Sequence, residues 1–585
     1  MQERSIEEEM AAVTEPVSPS GQYFNSATLS VSVLAVLEIA IPIDDSPTIT
    51  MLKDVFLPIN PRFSSIMVKD EHGIRQWKRV EVKLEDHVNV PIFPEGLSKQ
   101  AYDEYFKEYL SKIASEKLPQ SRPLWDIHII KYPTTSAAGA LVIKLHHAMG
   151  DGFSLMGALF SCVRRADDPS LPLTFPSSQS KPQEQEGGVM GFLRNGTRLL
   201  SVMFNTTSDF TWSLLKGSLV EDDRSPVRSG TAGVEFLPIT IATVAFSLDH
   251  IRHVKAKLRG TVNDVITGTV FYGVQLYLQN ASQGAAKSSR VTALVLLNTR
   301  MINRYQSPEE MADPNSESPW GNQFGFLHVS VPHCSDTDNV NPLDFISTAK
   351  QVIQRKRNSL AVHLTGRLLE TLRKLKGPET TAQYIHSTLK NTSMTISNLI
   401  GPIEQISIAD HPVKSLYFMV VGVPQSLTIT MVSYNGELKL ALGTEKEYIR
   451  VLARSSDSLF LNLVDSQHPS PPSVVINLKT KGMELLRAPA HKRGEDAHAR
   501  GEREHSYILH SHVVALDGEE DEVYVMGDHF LGSNVRSGSH FLANKIKKGA
   551  HCDASANNIC SGISVNSGMR RASPMLQEAL PERAR

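Results

Sequence analysis

Cysteine, surplus positive charge and long apolar runs are all scarce in this sequence of 585 residues. Its four cysteines, Cys162, Cys334, Cys552 and Cys560, include no C-x-x-C pair of the kind that binds zinc or forms a redox centre. This usage indicates a reducing intracellular compartment rather than a disulfide scaffold. The net charge of -2 at pH 7 argues against nucleic acid as a partner, although it leaves room for a local basic patch.

An uninterrupted apolar run of about 20 residues, which a membrane-spanning helix needs, is also missing. The most apolar early stretch, residues 27–43, is interrupted by Glu38 and Pro42 and is rich in Val and Ile, so it predicts a buried strand. A second stretch, residues 199–219, contains Asp209 among its apolar residues and predicts a segment that lies on a membrane surface. The first residues show no basic segment followed by an apolar one, so we expect no cleavable signal peptide.

The remaining sequence alternates helical and strand patterns, as expected for a globular protein with more than one hydrophobic core. Aromatic and apolar residues at helical spacing predict an amphipathic helix over 102–113. Strands are predicted over 141–147 and 291–297. Asn435-Gly436 predicts a hairpin, because a type I′ turn needs positive φ at both central residues. The fold class is therefore α/β or α+β, with two lobes of similar size.

Composition also divides the chain into parts. Ser, Gln, Pro and Gly are concentrated at 178–188, and charge, Ser and Gly at 221–233, which predicts a connection between the lobes. In the last part of the chain large apolar side chains become rare, so no packed core is expected there. We therefore predict an N-terminal lobe over 1–180, a linker over 181–235, a C-terminal lobe over 236–450 and a disordered or atypical tail over 451–585.

The strongest chemical signal is the heptapeptide HHAMGDG, which runs from His146 to Gly152. Side chains alternate along a strand, so His146 and His147 face opposite sides, and His147 continues the apolar row of the preceding residues. The glycines favour a turn, and Asp151 stands where the next helix would begin. This pattern places His147 at a strand end, where a base can face a cavity.

Imidazole has an ordinary pKa of about 6.5, so it can remove a proton from an attacking hydroxyl near neutral pH. Two other interpretations stay open on these residues alone. His147 can be a satisfied core histidine, with Asp151 only capping the helix. A metal site is disfavoured, because Gly150 and Gly152 disrupt the continuous helix that paired ligands prefer and no third ligand stands nearby.

The whole string resembles the His-His-x-x-x-Asp-Gly signature of the condensing acyltransferase superfamily. Further segments resemble motifs of its wax ester synthase/diacylglycerol acyltransferase branch: Pro123-Leu124-Trp125, Asn263-Asp264, Asn298-Thr299-Arg300, residues 320–325 and Ser397-Asn398 before Gly401-Pro402. In that superfamily the second histidine is the general base, which implies this role for His147, with His146 and Gly152 as its companions in the motif. The resemblance also implies that Asp151 orients the turn through an arginine, for which Arg300 is the candidate.

The accessory segments carry alternatives of their own. Trp125, with Pro123 and Leu124, suits either a wall of a substrate tunnel or the hydrophobic core. Asn263 and Asp264 can also serve as caps, since Asp264 stands three residues after Thr261 in a capping-box pattern. The pair Ser397 and Asn398 suits either oxyanion stabilisation or a polar turn.

The resemblance implies a chloramphenicol acetyltransferase-like fold of two lobes with a tunnel between them. It implies transfer of a fatty acyl group from acyl-CoA to a long-chain alcohol or to diacylglycerol, with acyl-CoA as co-substrate and with no cofactor or metal. The expected location is the endoplasmic reticulum membrane or the plasma membrane, with peripheral attachment or a single anchor. The oligomeric state is not predicted.

Two rival functions stay open. A soluble acyltransferase of the plant BAHD type, acting on phenolic or amine acceptors, would keep His147, although the Asp-Phe-Gly-Trp-Gly motif of that branch is missing. A non-catalytic binding or docking module of the same fold would not need the histidine as a base.

Overall fold

The computed structural model describes residues 14–71, 74–176, 189–281, 289–300, 305–313, 316, 319–333, 342–446, 448–449, 511–513 and 525–527. Contacts within the chain define one unit up to Leu486 and a second from Arg487 onwards. The described residues of the second unit form two short antiparallel strands, Ser511–Val513 and Val525–Gly527. The tail predicted over 451–585 otherwise lies outside the described residues, so its atypical character stays a prediction.

Strands and helices alternate through the first unit. The strands are β1 Thr14–Pro16, β2 Ser32–Ile39, β3 Ser65–Lys69, β4 Arg75–Arg79, β5 Val88–Asn89, β6 Trp125–Ile130, β7 Gly139–His146, β8 Arg164–Arg165, β9 Ile239–Ser247, β10 Thr292–Asn298, β11 Phe324–Ser330, β12 Met394–Ile400, β13 Ile406–Ile408, β14 His411–Val421, β15 Leu427–Tyr434 and β16 Glu437–Glu445. The α-helices are α1 Pro19–Phe24, α2 Thr48–Met51, α3 Leu57–Ile59, α4 Lys99–Ser115, α5 Gly152–Ser161, α6 Val189–Ser218, α7 Leu248–Leu258, α8 Val262–Ala281, α9 Pro308–Ala312, α10 Pro342–Arg357, α11 Ala361–Lys376 and α12 Pro378–Lys390. A π turn spans Leu52–Phe56, and 3₁₀ turns span Pro61–Ser64, Leu84–Asp86 and Val234–Phe236.

The first lobe is built on a seven-stranded sheet of order β5-β6-β7-β2-β14-β13-β8. Every residue of β2 is buried, which confirms the buried strand predicted within residues 27–43. Strand β7 pairs antiparallel with β2 and β6 and ends at His146, one residue before the predicted end. The helix predicted over 102–113 is α4, which begins after the N-cap Ser98 and packs its aromatic face against this sheet.

The second lobe is built on a six-stranded sheet of order β11-β10-β12-β15-β16-β9. Asn435 and Gly436, with φ angles of 47° and 76°, form the β15–β16 turn and confirm the predicted hairpin. Asp264 and Thr261 form the predicted capping box: Oδ2 of Asp264 accepts from the backbone nitrogen of Thr261 at 2.8 Å, and the hydroxyl of Thr261 accepts from the backbone nitrogen of Asp264 at 3.1 Å. The two sheets with their helices confirm the predicted two-lobed α/β architecture.

Strand β14 joins the two lobes. It belongs to the second half of the sequence, yet it pairs antiparallel with β2 of the first sheet before the chain returns to the second sheet as β15. The hydroxyl of Thr430 on β15 donates to the carbonyl of Phe418 on β14. Gly443 on β16 lies so close to Met419 that a Cβ would come within 2.7 Å of its sulfur. The C-terminal lobe predicted over 236–450 therefore gives one strand to the sheet of the other lobe.

Helix α6 occupies much of the segment predicted as a linker. Lys216, near its end, forms an ion pair with Asp222, and both side chains are fully buried. Asp222 also accepts hydrogen bonds from Thr292 and Ser393, on and beside the second sheet. These contacts fasten the predicted linker to the second lobe. Within the described part of the chain, no helix combines the length and the apolar character that crossing a bilayer requires.

Candidate active site

The heptapeptide from His146 to Gly152 forms the turn between β7 and α5. Asp151 is the N-cap of α5, because its Oδ1 accepts a hydrogen bond from the backbone nitrogen of Ser154 at 3.0 Å. Gly152 is the first helical residue and packs against Leu399, where a Cβ would meet a side-chain carbon at 3.1 Å. The turn is therefore too tightly packed at Gly152 for a larger residue to enter without displacing Leu399.

His146 lies in the interior of the first lobe. Its Nε2 is 3.2 Å from the hydroxyl of Ser30, and its Nδ1 accepts a hydrogen bond from the backbone nitrogen of Ala148 at 3.1 Å. Because the ring is fully buried, its pKa is lowered to about 3. A neutral ring with both nitrogens engaged supports the turn, which is a structural role rather than the proton transfer considered for its neighbour.

Asn322 fixes the orientation of His147 and the position of its proton. The Nδ2 of Asn322 donates to the backbone carbonyl of His147 at 2.9 Å, so the amide oxygen faces the ring. That Oδ1 lies 2.9 Å from Nδ1 of His147. Since an amide oxygen can only accept, Nδ1 must carry the hydrogen. The lone pair of the neutral imidazole is consequently on Nε2.

Two cavities lie next to His147 or to the side chains that surround it. Its ring lies against Phe24 and Phe324, with centroid separations of 4.9 and 5.4 Å. One cavity, of about 300 Å³, is lined by His147 itself and by mostly aromatic and aliphatic side chains. A second cavity, of about 830 Å³, is lined by Phe24, Asn322 and Phe324, the three side chains that hold the histidine. A wall of these side chains thus lies between His147 and the second cavity.

The surroundings of His147 favour its neutral form. Burial lowers the pKa of the imidazole, and the nearby carboxylate of Asp151 opposes part of that shift. Asp151 is itself engaged by a cation, so it does not supply a free negative charge to the ring. A neutral imidazole with its lone pair on Nε2 is the state that a general base requires.

Arg300 locks the turn from the second lobe. Its Nη1 pairs with Oδ2 of Asp151 at 2.5 Å, and both side chains are buried. Its Nη2 donates to the hydroxyl of Ser154 at 3.1 Å and to the carbonyl of Gly321 at 2.8 Å. The backbone nitrogen of Gln323 donates to the same carboxylate oxygen at 2.8 Å. The partnership of Arg300 and Asp151 expected from the resemblance is therefore present, and it connects the lobes close to His147.

Three of the other predicted residues also converge on the His147 cavity. Ser397 and Asn398, on β12, line it directly. Nδ2 of Asn398 lies 3.4 Å from Oδ1 of Asn263, in the first turn of α8. Asp264 forms the capping box instead. Asn263 therefore contacts a residue that lines the cavity, whereas Asp264 caps the helix, as in the capping alternative.

Trp125 lies in the core of the first lobe and not on the cavity that contains His147. Its indole is completely buried, stacks on His87 with a centroid separation of 4.0 Å and donates to the carbonyl of Phe63 at 2.9 Å. Neither Pro123 nor Leu124 lines that cavity. Of the two interpretations open for this segment, the packing supports the core and corrects the expectation of a tunnel wall here.

Three residues of the site do not follow from the sequence patterns. Asn298 lines the cavity and accepts a hydrogen bond from the backbone nitrogen of Arg300 at 2.9 Å, while Asn322 and Phe24 hold His147. Asn298 and Asn322 lie within segments that resemble motifs of the family, and this signal could have identified them. Phe24 lies in no such segment, so only tertiary packing reveals its contact.

Two family models match the chain. One, described as the wax ester synthase/diacylglycerol acyltransferase catalytic domain, matches residues 54–266, and the other, described as the WS/DGAT C-terminal domain, matches residues 320–459. Together they cover more than half of the 585 residues. The first model contains the heptapeptide, and the second contains Asn322 and the β12 residues Ser397 and Asn398.

Several named proteins and solved structures are similar to the chain. Wax ester synthase/diacylglycerol acyltransferase 4 of Arabidopsis thaliana is 29% identical over 454 residues, which are 73% of this chain and 85% of the relative. Wax ester synthase/diacylglycerol acyltransferase 5 of the same plant is 28% identical over 473 residues, 76% of this chain and 92% of the relative. The structure of a wax ester synthase/diacylglycerol acyltransferase from Marinobacter aquaeolei VT8 has a TM-score of 0.48 and 16% identity, covering 77% of this chain and 97% of that one. The first condensation domain of the CDA synthetase has a TM-score of 0.46 and 13% identity, covering 79% of this chain and 100% of that one.

Proposed function

The chain belongs to the wax ester synthase/diacylglycerol acyltransferase family and is an acyltransferase, and we propose that it moves a fatty acyl group from acyl-CoA to a long-chain alcohol, to diacylglycerol or to both. The products would be a wax ester and triacylglycerol. The observation that carries the proposal is a neutral His147 whose Nδ1 is held by Asn322 and whose ring lines a largely apolar cavity.

The chemistry begins with the hydroxyl of the acceptor. Nε2 of His147 takes the hydroxyl proton as the oxygen attacks the thioester carbonyl, so that a tetrahedral intermediate forms. The imidazolium is stabilised because its Nδ1–H donates to Asn322. When the intermediate collapses, the carbon–sulfur bond breaks, the histidine returns the proton to the departing CoA thiolate, and the ester is released. No covalent intermediate with the protein is needed.

The second lobe supplies groups that suit the charged intermediate. Ser397 and Asn398 line the same cavity as His147, and a hydroxyl or amide N–H directed at the developing oxyanion is worth on the order of 3 kcal/mol. The contact of Asn398 with Asn263 restricts the motion of its amide. Arg300 and Asp151 act differently, because they position the histidine turn and not the reacting atoms.

The walls of the two cavities suit lipid substrates. Phe153, Met156, Phe160 and Phe418 contribute an apolar lining to the cavity that contains His147, where a fatty chain would exclude water from the thioester. Phe24 and Phe324 separate His147 from the second cavity, and we propose that displacement of these two side chains makes this cavity a second approach to the same ring. We assign one approach to acyl-CoA and the other to the acceptor.

An acceptor of this kind partitions into membranes, so we also propose that the protein works at a membrane surface, at the endoplasmic reticulum or the plasma membrane. Residues 200–218 of α6 support this placement, since Leu200, Met203 and Phe204 expose large apolar side chains. The mode of attachment that fits the helix is peripheral.

The direct test is an assay of purified protein with a fatty acyl-CoA and four acceptors: a long-chain alcohol, diacylglycerol, a phenol and an amine. We expect ester formation with one or both lipid acceptors and none with the phenol or amine. Product formation only from the phenol or amine would instead support a BAHD-like activity.

Replacement of His147 tests the base. We expect His147→Ala to lower kcat by about 100-fold or more, the usual contribution of a general base. His250→Ala is the matched control, because His250 is exposed on α7 and away from the turn. Unchanged turnover in the His147 variant would rule out its role as base, and turnover absent from both the variant and the wild type would favour a non-catalytic binding module.

A further inference from the structure

Helix α6 presents an apolar face to solvent next to a strongly basic pair of helices. Leu200, Met203 and Phe204 are 68, 60 and 75% exposed, and their spacing of three and four residues puts them on one side of the helix. A cluster of this kind is unusual on a monomer surface and marks an interaction site. Leu360, which is 55% exposed, extends the patch, because its backbone nitrogen donates to the hydroxyl of Thr206 at 3.0 Å.

The neighbouring helices α10 and α11 carry a charge opposite in sign to that of the whole chain. Residues 342–376 contain eight Lys and Arg against two Asp and Glu, whereas the full sequence has a net charge of -2. Arg355 lies at the patch, where its Nη1 donates to Asn205 of α6 at 3.2 Å, and Arg357 is exposed two residues later. Apolar side chains beside cations form the surface that binds an anionic bilayer.

The same surface leads to the active site. Leu360 lines the second cavity together with Asn322 and Phe324, which contact His147. Arg367, in the second turn of α11, is exposed and also lines this cavity. The rim of the cavity and the edge of the apolar patch are therefore formed by the same few residues at the start of α11.

We propose that Leu200, Met203, Phe204 and Leu360, with the basic end of α10 and Arg367 of α11, form a docking surface for an anionic lipid bilayer, which places the second cavity at the membrane so that the lipid acceptor enters it without crossing water. This inference rests on the proposed function for the identity of the acceptor. The bilayer is chosen over a second copy of the chain because a dimer interface would bring two basic surfaces of this kind into apposition.

Flotation of the purified full-length protein with lipid vesicles tests the surface. We expect binding to vesicles of phosphatidylcholine mixed with phosphatidylserine, weaker binding to phosphatidylcholine alone, and loss of the difference at high salt. Met203→Ser combined with Phe204→Ser should weaken binding to the mixed vesicles about tenfold or more, since two buried apolar side chains are lost. Arg357→Glu should weaken binding to the mixed vesicles about tenfold and leave binding to neutral vesicles unchanged.

Matched controls change exposed residues of the first lobe. Ile92→Ser removes an apolar side chain that is 92% exposed, and Lys83→Glu reverses an exposed charge. Both controls should bind as the wild type does. Equal binding of the patch variants and the wild type, or patch variants that abolish a dimer without changing vesicle binding, would overturn the proposal.

An activity measurement separates this proposal from the proposed reaction. With the alcohol embedded in mixed vesicles, the patch variants should turn over about tenfold more slowly than the wild type, whereas with the alcohol in detergent micelles the rates should match. Patch-dependent vesicle binding without ester formation in either medium would refute the reaction and leave the surface in place. Ester formation that is equally fast on vesicles for all variants would refute the surface and leave the reaction.

Discussion

The side chain of Asn322 holds His147 at two points, with its nitrogen on the backbone carbonyl and its oxygen against Nδ1, each at 2.9 Å. The first contact orients the amide, and the orientation of the amide then decides which ring nitrogen carries the hydrogen. His147 and the side chain that fixes its tautomer come from different lobes. The packing of the two lobes against each other therefore sets the tautomer of the histidine.

Replacement of Asn322 should impair turnover more than substrate binding. In Asn322→Ala the imidazole loses the acceptor for Nδ1–H, so a smaller fraction has the lone pair on Nε2 and the imidazolium is less stable. We expect kcat to fall about tenfold, from loss of roughly one hydrogen bond in the transition state, with KM nearly unchanged. Steady-state kinetics measure this, with Asn358→Ala, at an exposed asparagine, as control. A rise in KM at constant kcat would contradict a positioning role.

The substitution Arg300→Ala, which removes the guanidinium, should destabilise the protein. Asp151 would be left as a buried charge without its cation, and breaking such a pair costs about 3–5 kcal/mol of unfolding free energy. Arg300→Lys should restore little of it, because one ammonium cannot reach Asp151, Ser154 and Gly321 as the planar guanidinium does. Denaturant titration measures the loss.

The exposed pair of Arg252 and Asp249 provides the control for this measurement. Their side chains are 56 and 83% exposed, so Arg252→Ala should change the unfolding free energy by less than about 1 kcal/mol. Similar losses of unfolding free energy in the Arg252 and Arg300 variants would show that the buried pair stabilises the protein no more than an exposed pair does.

The acid limb of the activity should lie below the ordinary histidine range. Burial lowers the pKa of His147, so the neutral base persists as the pH falls through about 6.5, the value for a free imidazole. We expect kcat to stay level from pH 8 to about pH 6.5 and to decline only at lower pH. A pH profile of kcat measures this. A decline centred above pH 7 would show that the base is not a buried, neutral histidine.

Stability should also depend on pH through His328, a buried histidine of the second sheet. Burial lowers its pKa to about 3, whereas in the unfolded chain it is about 6.5. Below pH 6.5 the unfolded state therefore binds a proton that the folded state does not, and stability falls as the pH falls toward 3, by up to about 1.4 kcal/mol per pH unit. His328→Leu should remove this part of the slope, and His250→Leu should not. An equal dependence of stability on pH in the wild type and in both variants would contradict the assignment of this effect to His328.

The sequence predicted the parts of the fold and site that depend on local pattern. Alternation and the glycine turn placed His147 at a strand end, and the Asn435-Gly436 pair fixed the β15–β16 hairpin. Contacts between residues that are far apart in the sequence could not be predicted. No local signal indicates that β14 leaves the second lobe to pair with β2, or that Phe24 packs on His147. Trp125 shows the same limit, since burial in a core and burial along a tunnel require the same residue type.

Replacement of Asn398 is the most direct test of whether the second lobe takes part in the reaction. Its side chain lines the His147 cavity, and its amide lies 3.4 Å from Asn263, so one N–H can be directed at an oxyanion. If this N–H is directed at the oxyanion, Asn398→Ala should lower kcat by about 100-fold with little change in KM, because the hydrogen bond to the oxyanion exists only in the transition state. Asn263→Ala should cause a smaller loss, since it removes the support and leaves the donor. Ser397→Ala tests the adjacent hydroxyl separately. Full activity in the Asn398 variant would assign these residues to a polar strand end with no part in the reaction.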